Sequence, residues 1–160
     1  MKKLWVWVGI PLGIGILLLL VMIVGSDSGA KANLQYISLE SFDGRPAKLG
    51  YIDKKVGTGP ALKRGDMAMI FITGKLKDGA VLLSNKKGKT LPVQVGTEQK
   101  GLGPLGPAVD SGLVGMKAGG IRELFVPPDL AFGEMGSPEA GIPPKSEVFL
   151  EIELVQMRQN

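Results

Sequence analysis

The side chains that perform most nucleophilic, acid–base and metal chemistry in enzymes are missing from this chain. Its 160 residues include no histidine and no cysteine. Thiol nucleophiles, disulfide frameworks, zinc fingers and Ser-His-Asp triads are therefore excluded. The formal net charge is +4, and no block of like charges forms a nucleic-acid-binding surface, so we expect no nucleic-acid partner. Function has to come from carboxylates, glycine-rich loops or apolar surfaces.

Two carboxylates could in principle form a hydrolytic pair. Glu151 and Glu153 lie two residues apart in an alternating segment, so they share one face of a predicted strand. A pair of this kind needs surroundings that separate the two pKa values, and no neighbouring residue in the sequence does so. We interpret the pair as part of a solvated sheet face.

A glycine-rich segment, Gly101 to Gly106 (GLGPLG), matches the G-x-G-x-x-G pattern of dinucleotide-binding loops. Five residues separate it from Val95, whereas the fingerprint turns directly off its strand. Pro104 removes a backbone donor from a loop that would have to donate to phosphate. We therefore interpret the segment as a surface loop, and we expect neither a cofactor nor a metal ion.

The amino terminus carries a long apolar run, Leu4 to Gly25, of 22 residues without charge. A helix of that length crosses the ~30 Å hydrocarbon core of a bilayer. Lys2 and Lys3 before the run, against Asp27 after it, favour a single-pass anchor with its amino terminus inside. The domain is then expected in the periplasm or another extracytoplasmic space. Ser28-Gly29-Ala30 resembles a signal-peptide cleavage site, so cleavage is the alternative.

The rest of the chain predicts one α+β domain. After an anchor at residues 1–25 and a small, polar linker at 26–33, the domain occupies 34–160. The secondary structure of Leu34–Ile52 is ambiguous from the sequence, and we expect an edge strand followed by a loop. Met67–Leu76 is apolar on both faces, which predicts a central strand covered on both sides. Apolar residues alternate with mostly polar ones along Val148–Val155, which predicts a strand with one buried face and one face that is mostly exposed to solvent.

One helix is predicted, from Pro107 to Lys117. Proline suits the first helical position, and Gly119-Gly120 supplies the stop. Val109, Leu113 and Met116 form one apolar stripe along this helix. Between two predicted strands, Pro127 to Ser146 is a long stretch rich in proline and glycine, and structureless stretches of that length inside a domain are usually functional.

From about Val56 to Met157 the sequence resembles the FKBP-type peptidyl-prolyl cis-trans isomerases. Each motif is weak alone, but their order and spacing are specific. The motifs are Gly57-Thr58-Gly59, Arg64-Gly65-Asp66, Thr73-Gly74-Lys75-Leu76, Asp78-Gly79, Gly112–Gly120, Pro128-Asp129-Leu130-Ala131-Phe132-Gly133, Ile142-Pro143-Pro144 and Val148–Leu154. The resemblance implies a curved antiparallel β-sheet wrapped on one short α-helix, with an apolar peptide pocket between them.

The resemblance also implies which residues line that pocket. Position by position they are Ile72, Leu82, Leu83, Leu91, Val109, Phe132, Ile142 and Leu150. Ile142 matches the family. The others depart from it, with Ile72 for tyrosine, Leu82-Leu83 for Phe-Asp, Leu91 and Leu150 for phenylalanine, Val109 for tryptophan and Phe132 for tyrosine. The stretch Thr97–Pro107 is longer than usual, so the backbone N–H that meets the substrate carbonyl has no clear equivalent.

Prolyl isomerisation needs no nucleophile and no proton shuttle. Rotation about the X–Pro bond crosses a barrier of ~18–20 kcal/mol because amide resonance is broken, and an enzyme can bind the twisted imide better than either planar form. The substituted pocket predicts weak isomerase activity and weak binding of macrolide inhibitors. The alternative is an FKBP-like binding or chaperone module. Expected partners are proline-containing polypeptides and, through the anchor, a membrane, and we expect a monomer.

Overall fold

An antiparallel sheet of seven strands dominates the computed structural model, which describes residues 33–97 and 99–160. The strands of the chain are β1 (Gln35–Glu40), β2 (Pro46–Lys55), β3 (Thr58–Ala61), β4 (Met67–Leu76), β5 (Val81–Ser84), β6 (Leu91–Gln94), β7 (Lys117–Ala118), β8 (Ile121–Val126) and β9 (Val148–Arg158). The sheet order is β1-β2-β8-β9-β4-β5, and β6 also pairs with β4. β3 and β7 form a separate two-stranded sheet.

Side chains along the central strands alternate between buried and partly exposed, and the buried ones form the core. On β4, Ala68, Ile70 and Ile72 point inwards and are buried, while the side chains between them are partly exposed. β9 follows the same period and buries Leu150 and Ile152 beside them. Because strand side chains alternate between faces, one face of the sheet is apolar and has to be covered. The helix α1 (Gly106–Leu113) packs on that face.

The helix lies very close to the sheet at one point. A Cβ atom at Gly112 would lie 2.5 Å from Leu124 Cδ1 and 2.8 Å from Cδ2. Leu124 is fully buried and has little room to move. Glycine at this helical position therefore sets the depth at which α1 can pack, and the same packing buries Val109 and Leu113.

One buried charge joins the helix to the sheet. Arg122 on β8 is 5% exposed. Its Nε and Nη2 donate to the two carboxylate oxygens of Asp53 on β2 at 2.6 and 3.0 Å. Its Nη1 donates to the carbonyls of Gly112 and Val114 at 2.8 and 3.1 Å, which are carbonyls that the end of α1 leaves without helical partners. The guanidinium carbon also lies 4.2 Å from the centre of the Tyr51 ring.

A second polar side chain, Asn85, completes the hydrogen bonding of β4. After β5 ends at Ser84, Asn85 Oδ1 accepts from the backbone N–H of Ile72 at 2.7 Å. Its Nδ2 donates to the carbonyls of Ile70 and Lys89, both at 3.2 Å. Asn85 thus pairs with β4 in the gap between β5 and β6, and fixes both strands relative to each other.

Three sequence-based expectations about the elements need correction. Leu34–Ile52, expected as an edge strand and a loop, forms most of the paired strands β1 and β2. The helix ends at Leu113 rather than Lys117, because Val114 adopts an extended conformation (ψ 131°) and Gly115 has φ +82°. The outward face of β4 is partly exposed rather than covered, since the described residues place α1 on the opposite face.

The predicted anchor and linker lie outside the described residues. Within residues 33–97 and 99–160, no helix has the length and apolarity needed to cross a bilayer. The boundaries at 25 and 33 stay predictions.

We predict that Arg122→Met lowers the free energy of unfolding of the full chain by about 3 kcal/mol, since removing one partner of a buried ion pair leaves uncompensated groups behind. Asp53 and two helix-end carbonyls would lose their donors. Urea unfolding followed by circular dichroism measures the change. Arg122→Lys should recover only part of the lost stability, because the lysine ammonium cannot donate the two parallel hydrogen bonds that the guanidinium gives to a carboxylate. A change below about 0.5 kcal/mol would contradict this assignment.

We also predict that Asn85→Ala lowers the free energy of unfolding by about 1–3 kcal/mol, since the N–H of Ile72 loses its acceptor in a partly buried place. The adjacent Ser84→Ala is the matched control. The Ser84 hydroxyl forms a hydrogen bond with that of Thr73 at an exposed site, so this substitution should change the free energy of unfolding by no more than about 0.5 kcal/mol. Equal effects of the two substitutions would show that Asn85 does not hold β4.

Candidate functional site

The eight residues assigned to the pocket by resemblance all belong to the hydrophobic core or pack against it, and we call these eight the prolyl cluster. Its four buried members, which we call the floor, are Ile72 (2% exposed), Val109 (0%), Ile142 (3%) and Leu150 (0%). Its four partly exposed members, which we call the rim, are Leu82, Leu83, Leu91 and Phe132. The same core thus contains residues that are up to 78 positions apart, from Ile72 to Leu150.

A β-bulge places two neighbouring leucines on the rim. Leu83 pairs with Gly74 of β4, and Val81 pairs with Lys75, so Leu82 is the extra residue between them. In a bulge, two residues of one strand oppose one of the other and the strand bends. Leu82 and Leu83 are consequently both half-buried, although they are adjacent in sequence.

Gly74 makes room beneath the rim. A Cβ atom there would lie 3.0 Å from Leu150 Cδ2 and 3.2 Å from Leu83 Cγ. The two leucine side chains therefore approach each other over the bare backbone of Gly74. A rim residue and a floor residue meet at this point, which defines the wall of the prolyl cluster on the β5 side.

The proline-rich segment contributes Phe132 and Ile142 to the prolyl cluster and is folded into short turns. Pro128–Leu130 and Pro138–Ala140 are 3-10 turns, and Gly133 N–H donates to the Pro128 carbonyl at 2.8 Å. Ser137 and Ile142 exchange two backbone hydrogen bonds of 2.9 Å. Ile142 is thereby fixed facing the core, while Phe132 lies on the rim.

The chemistry available in the prolyl cluster is that of an apolar surface. All eight side chains are hydrocarbon, so none can donate or accept a proton. The Phe132 ring carries no hydroxyl. Any polar contact with a peptide must therefore come from backbone groups, and recognition must depend on shape and on the exclusion of water.

The larger grooves on the described surface lie beside the cluster rather than in it. A groove of about 640 Å³ on the outward face of the sheet is lined by Lys54, Lys86 and Glu151 among others. Hydrogen bonding from Lys86, followed by that from Lys54, holds the pKa of Glu151 below its ordinary value. Glu151 is therefore an ion-paired surface carboxylate, and its lowered pKa gives no support to acid–base catalysis. A second groove adjoins α1 and Phe42.

Sequence reasoning missed the residues that position the prolyl cluster. Asn85 and Arg122 act on backbone groups that are distant in the chain, and polar residues of these types are usually interpreted as surface residues. Gly74 was quoted as part of a motif, but its role follows only from the side chains above it. A glycine inside a strand does signal a close approach, and that signal was present in Thr73-Gly74-Lys75.

Comparisons with known proteins agree with the fold. The model of the FKBP-type peptidyl-prolyl cis-trans isomerase family matches residues 59–155. FK506-binding protein 4 of Aspergillus fumigatus is 38% identical over 106 residues, which are 66% of this chain and 20% of that protein. The 46 kDa FK506-binding nuclear protein of Spodoptera frugiperda is 36% identical over 107 residues, 66% of this chain and 24% of that protein. The chain thus spans about a fifth to a quarter of the length of these relatives.

Two solved structures match a larger share of this chain than the two relatives above do. The chain is 32% identical to AtFKBP13 with a TM-score of 0.55, and the match covers 76% of this chain and 99% of that one. FkpA from Escherichia coli is 30% identical with a TM-score of 0.55, covering 76% of this chain and 51% of FkpA. With the family model matching more than half of its residues, the chain belongs to the FKBP-type peptidyl-prolyl cis-trans isomerase family.

Proposed function

We propose that this protein is a peptidyl-prolyl cis-trans isomerase that assists the folding of proline-containing polypeptides. The observation that carries the proposal is the prolyl cluster itself. In a chain of this family, eight apolar residues, four of them partly exposed and four buried, belong to or pack against one hydrophobic core. The proposal is that the partly exposed four contact the proline ring of a client and shield it from water.

In the proposed catalysis, the protein binds the twisted prolyl imide more tightly than either planar isomer. The planar imide has a charge separation that water stabilises, and rotation towards the twisted state reduces it. A dry apolar surface withholds that stabilisation from the planar forms and can fit the twisted form better. No ionisable group is needed, so the hydrocarbon lining from Ile72 to Leu150 is compatible with this reaction.

The closed floor supports the second candidate, a binding or chaperone module with little isomerase activity. Val109 stands where the family has tryptophan, and it is fully buried. Since Val109 and the other floor residues are buried, a peptide can reach only the rim unless the cluster opens. Weak catalysis and weak binding of macrolide inhibitors are therefore part of the proposal.

We further propose that the chain is a single-pass membrane protein and a monomer, with its amino terminus inside and its domain in the periplasm or an equivalent space. The support is the uncharged run from Leu4 to Gly25 and the lysines before it. Clients would then be polypeptides that fold after export.

We predict that Phe132→Tyr raises kcat/KM of the full chain about fivefold, since a recovered hydrogen bond contributes about 1 kcal/mol. Phe132→Ala should lower it at least tenfold, because a rim side chain is lost. Protease-coupled isomerisation of Ala-X-Pro-Phe tetrapeptides measures both.

Phe149→Leu is the matched control, since Phe149 lies on the outward face in contact with Phe125 and should leave kcat/KM unchanged. Equal rates for wild type, Phe132→Tyr and Phe132→Ala would remove the prolyl cluster from catalysis. A wild-type rate equal to that of buffer, with aggregation of an unfolding client still suppressed, would favour the binding module.

Cysteine labelling tests the proposed orientation of the chain in the membrane. The sequence has no cysteine of its own, so only an introduced cysteine can react. Val56 is 70% exposed, so we expect a substitution there to leave the fold unchanged. We predict that Val56→Cys reacts with a membrane-impermeant maleimide added outside intact cells. A cysteine inserted after Met1 should react only after permeabilisation. The reverse pattern would show that the domain faces the cytoplasm.

A further inference from the structure

The outward face of the sheet, opposite to the face that α1 covers, carries large apolar side chains near its β1 edge. A groove of about 270 Å³ there is lined by Leu34 and Tyr36, with Phe125 of β8 and Phe149 of β9. Leu34 is 43% and Tyr36 61% exposed, and the two phenylalanine rings meet edge to face with their centroids 5.7 Å apart. We call these four residues the outward apolar patch. The solvated face of an antiparallel sheet is ordinarily polar, so this patch needs an explanation.

Gly50 of β2 lets the members of the patch approach one another. A Cβ atom there would lie 3.4 Å from both Leu34 Cδ1 and Phe125 Cβ, so these side chains flank bare backbone at contact distance. The charged lining residues of this groove, Lys48 and Glu147, are of opposite sign. The patch therefore offers apolar contact without a net charge of its own.

Lysines border the patch on the same face. The groove of about 640 Å³ described above shares Phe149 with the patch. Its described lining includes two glutamates, Glu123 and Glu151, and each forms an ion pair with a lysine of the groove. Among the residues that the structure describes, the exposed side chains of Lys75 and Lys87 in this groove form no ion pair. Two positive charges beside the patch are thus free to meet an anionic partner.

The sequence ends its uncharged run close to this patch. Leu34 belongs to the patch, and residues 26–33 alone separate it from Gly25, the last residue of the run. Eight residues span at most about 28 Å even when fully extended. With the run as the proposed anchor, Leu34 stays within about that distance of the bilayer. The outward apolar patch is therefore the part of the domain at which the tether arrives.

We propose that the outward face of the sheet docks on an anionic phospholipid bilayer, an inference that rests on the proposed single-pass anchoring. The outward apolar patch lies at the level of the headgroups, and Lys75 and Lys87 bind lipid phosphates. Tyr36 suits this level because its ring is apolar while its hydroxyl stays hydrated. Lysines close to an anionic surface are attracted to it, and the attraction falls off within a Debye length.

This docking leaves the candidate site accessible. Ile72 of β4 and Leu150 of β9 belong to the floor of the prolyl cluster and point to the face that α1 covers. That face is directed away from the lipid when the outward face is docked. The bilayer would thus hold the domain in one orientation while clients approach from the aqueous side.

Fluorescence quenching with the full chain reconstituted in lipid nanodiscs tests the proposal. Val81 lines the lysine-bearing groove and is 58% exposed, whereas Val56 is 70% exposed and lines neither groove. Each is replaced singly by cysteine and labelled with NBD, and the discs contain phosphatidylglycerol and a phosphatidylcholine with a nitroxide on its headgroup. We expect the label at Val81→Cys to lose most of its emission and the label at Val56→Cys to keep it, because a nitroxide quenches only at short range.

Charge reversal separates docking from simple proximity. Lys75→Glu combined with Lys87→Glu should lower the ratio of docked to undocked domain about thirtyfold and restore the emission at position 81. Lys63→Glu combined with Arg64→Glu is the matched control, since it changes the net charge equally at exposed residues that line neither groove. It should leave the label at position 81 quenched. Circular dichroism verifies that each variant is folded.

Equal quenching at positions 56 and 81 would overturn the proposal. So would quenching at position 81 that survives the reversal of Lys75 and Lys87, or that is equally strong in discs without phosphatidylglycerol. Retention of the chain by the lipid at high salt is measured separately. A chain that is washed off would overturn the proposed anchoring and the docking with it, whereas a retained chain with equal quenching would overturn the docking alone.

Discussion

The close packing of one short helix on one face of the sheet is the constraint on which the rest of the structure depends. At Gly112 the helix backbone lies so near Leu124 that a single methyl group would overlap it. This depth brings Val109 into the same apolar cluster as Leu150 of β9 and Ile72 of β4. The floor of the candidate site is therefore part of the hydrophobic core, and a change in the floor alters the core as well.

Polar side chains hold this arrangement at the places where regular secondary structure ends. Arg122 binds the carbonyls at the end of α1 and, through Asp53, the neighbouring strand. Asn85 supplies β4 with a partner where β5 has stopped. Each satisfies groups that would otherwise be buried without hydrogen bonds, and such groups are costly. Three of the four rim residues lie on β5 and β6, and Asn85 bonds to β4 between these two strands, so a polar contact helps to position part of an apolar site.

Much of the sheet could be predicted from the sequence, because the apolar run of β4 and the alternation of apolar and polar residues in β9 are local signals. The eight pocket residues came from the resemblance to the family, and composition alone would not have selected Leu82 or Leu150. The edge strand expected in Leu34–Ile52 corresponds to β1, whereas β2 was expected as a loop because apolar and polar residues alternate only weakly along it. The helix end was misplaced because the chain already leaves the helix at Val114, which is extended, and at Gly115, which has a positive φ, before it reaches Gly119. The roles of Arg122 and Asn85 depend on partners distant in sequence, which no local pattern shows.

The central claim is that a peptide with a proline binds at the rim formed by Leu82, Leu83, Leu91 and Phe132. Methyl-resolved NMR of the leucine-labelled full chain, titrated with a proline-containing peptide, tests it most directly. We expect the largest shift changes at Leu82, Leu83 and Leu91, with smaller changes at the buried Leu150. Changes confined to leucines remote from the rim, such as Leu34 and Leu39 near the β1 edge of the sheet, would contradict the account.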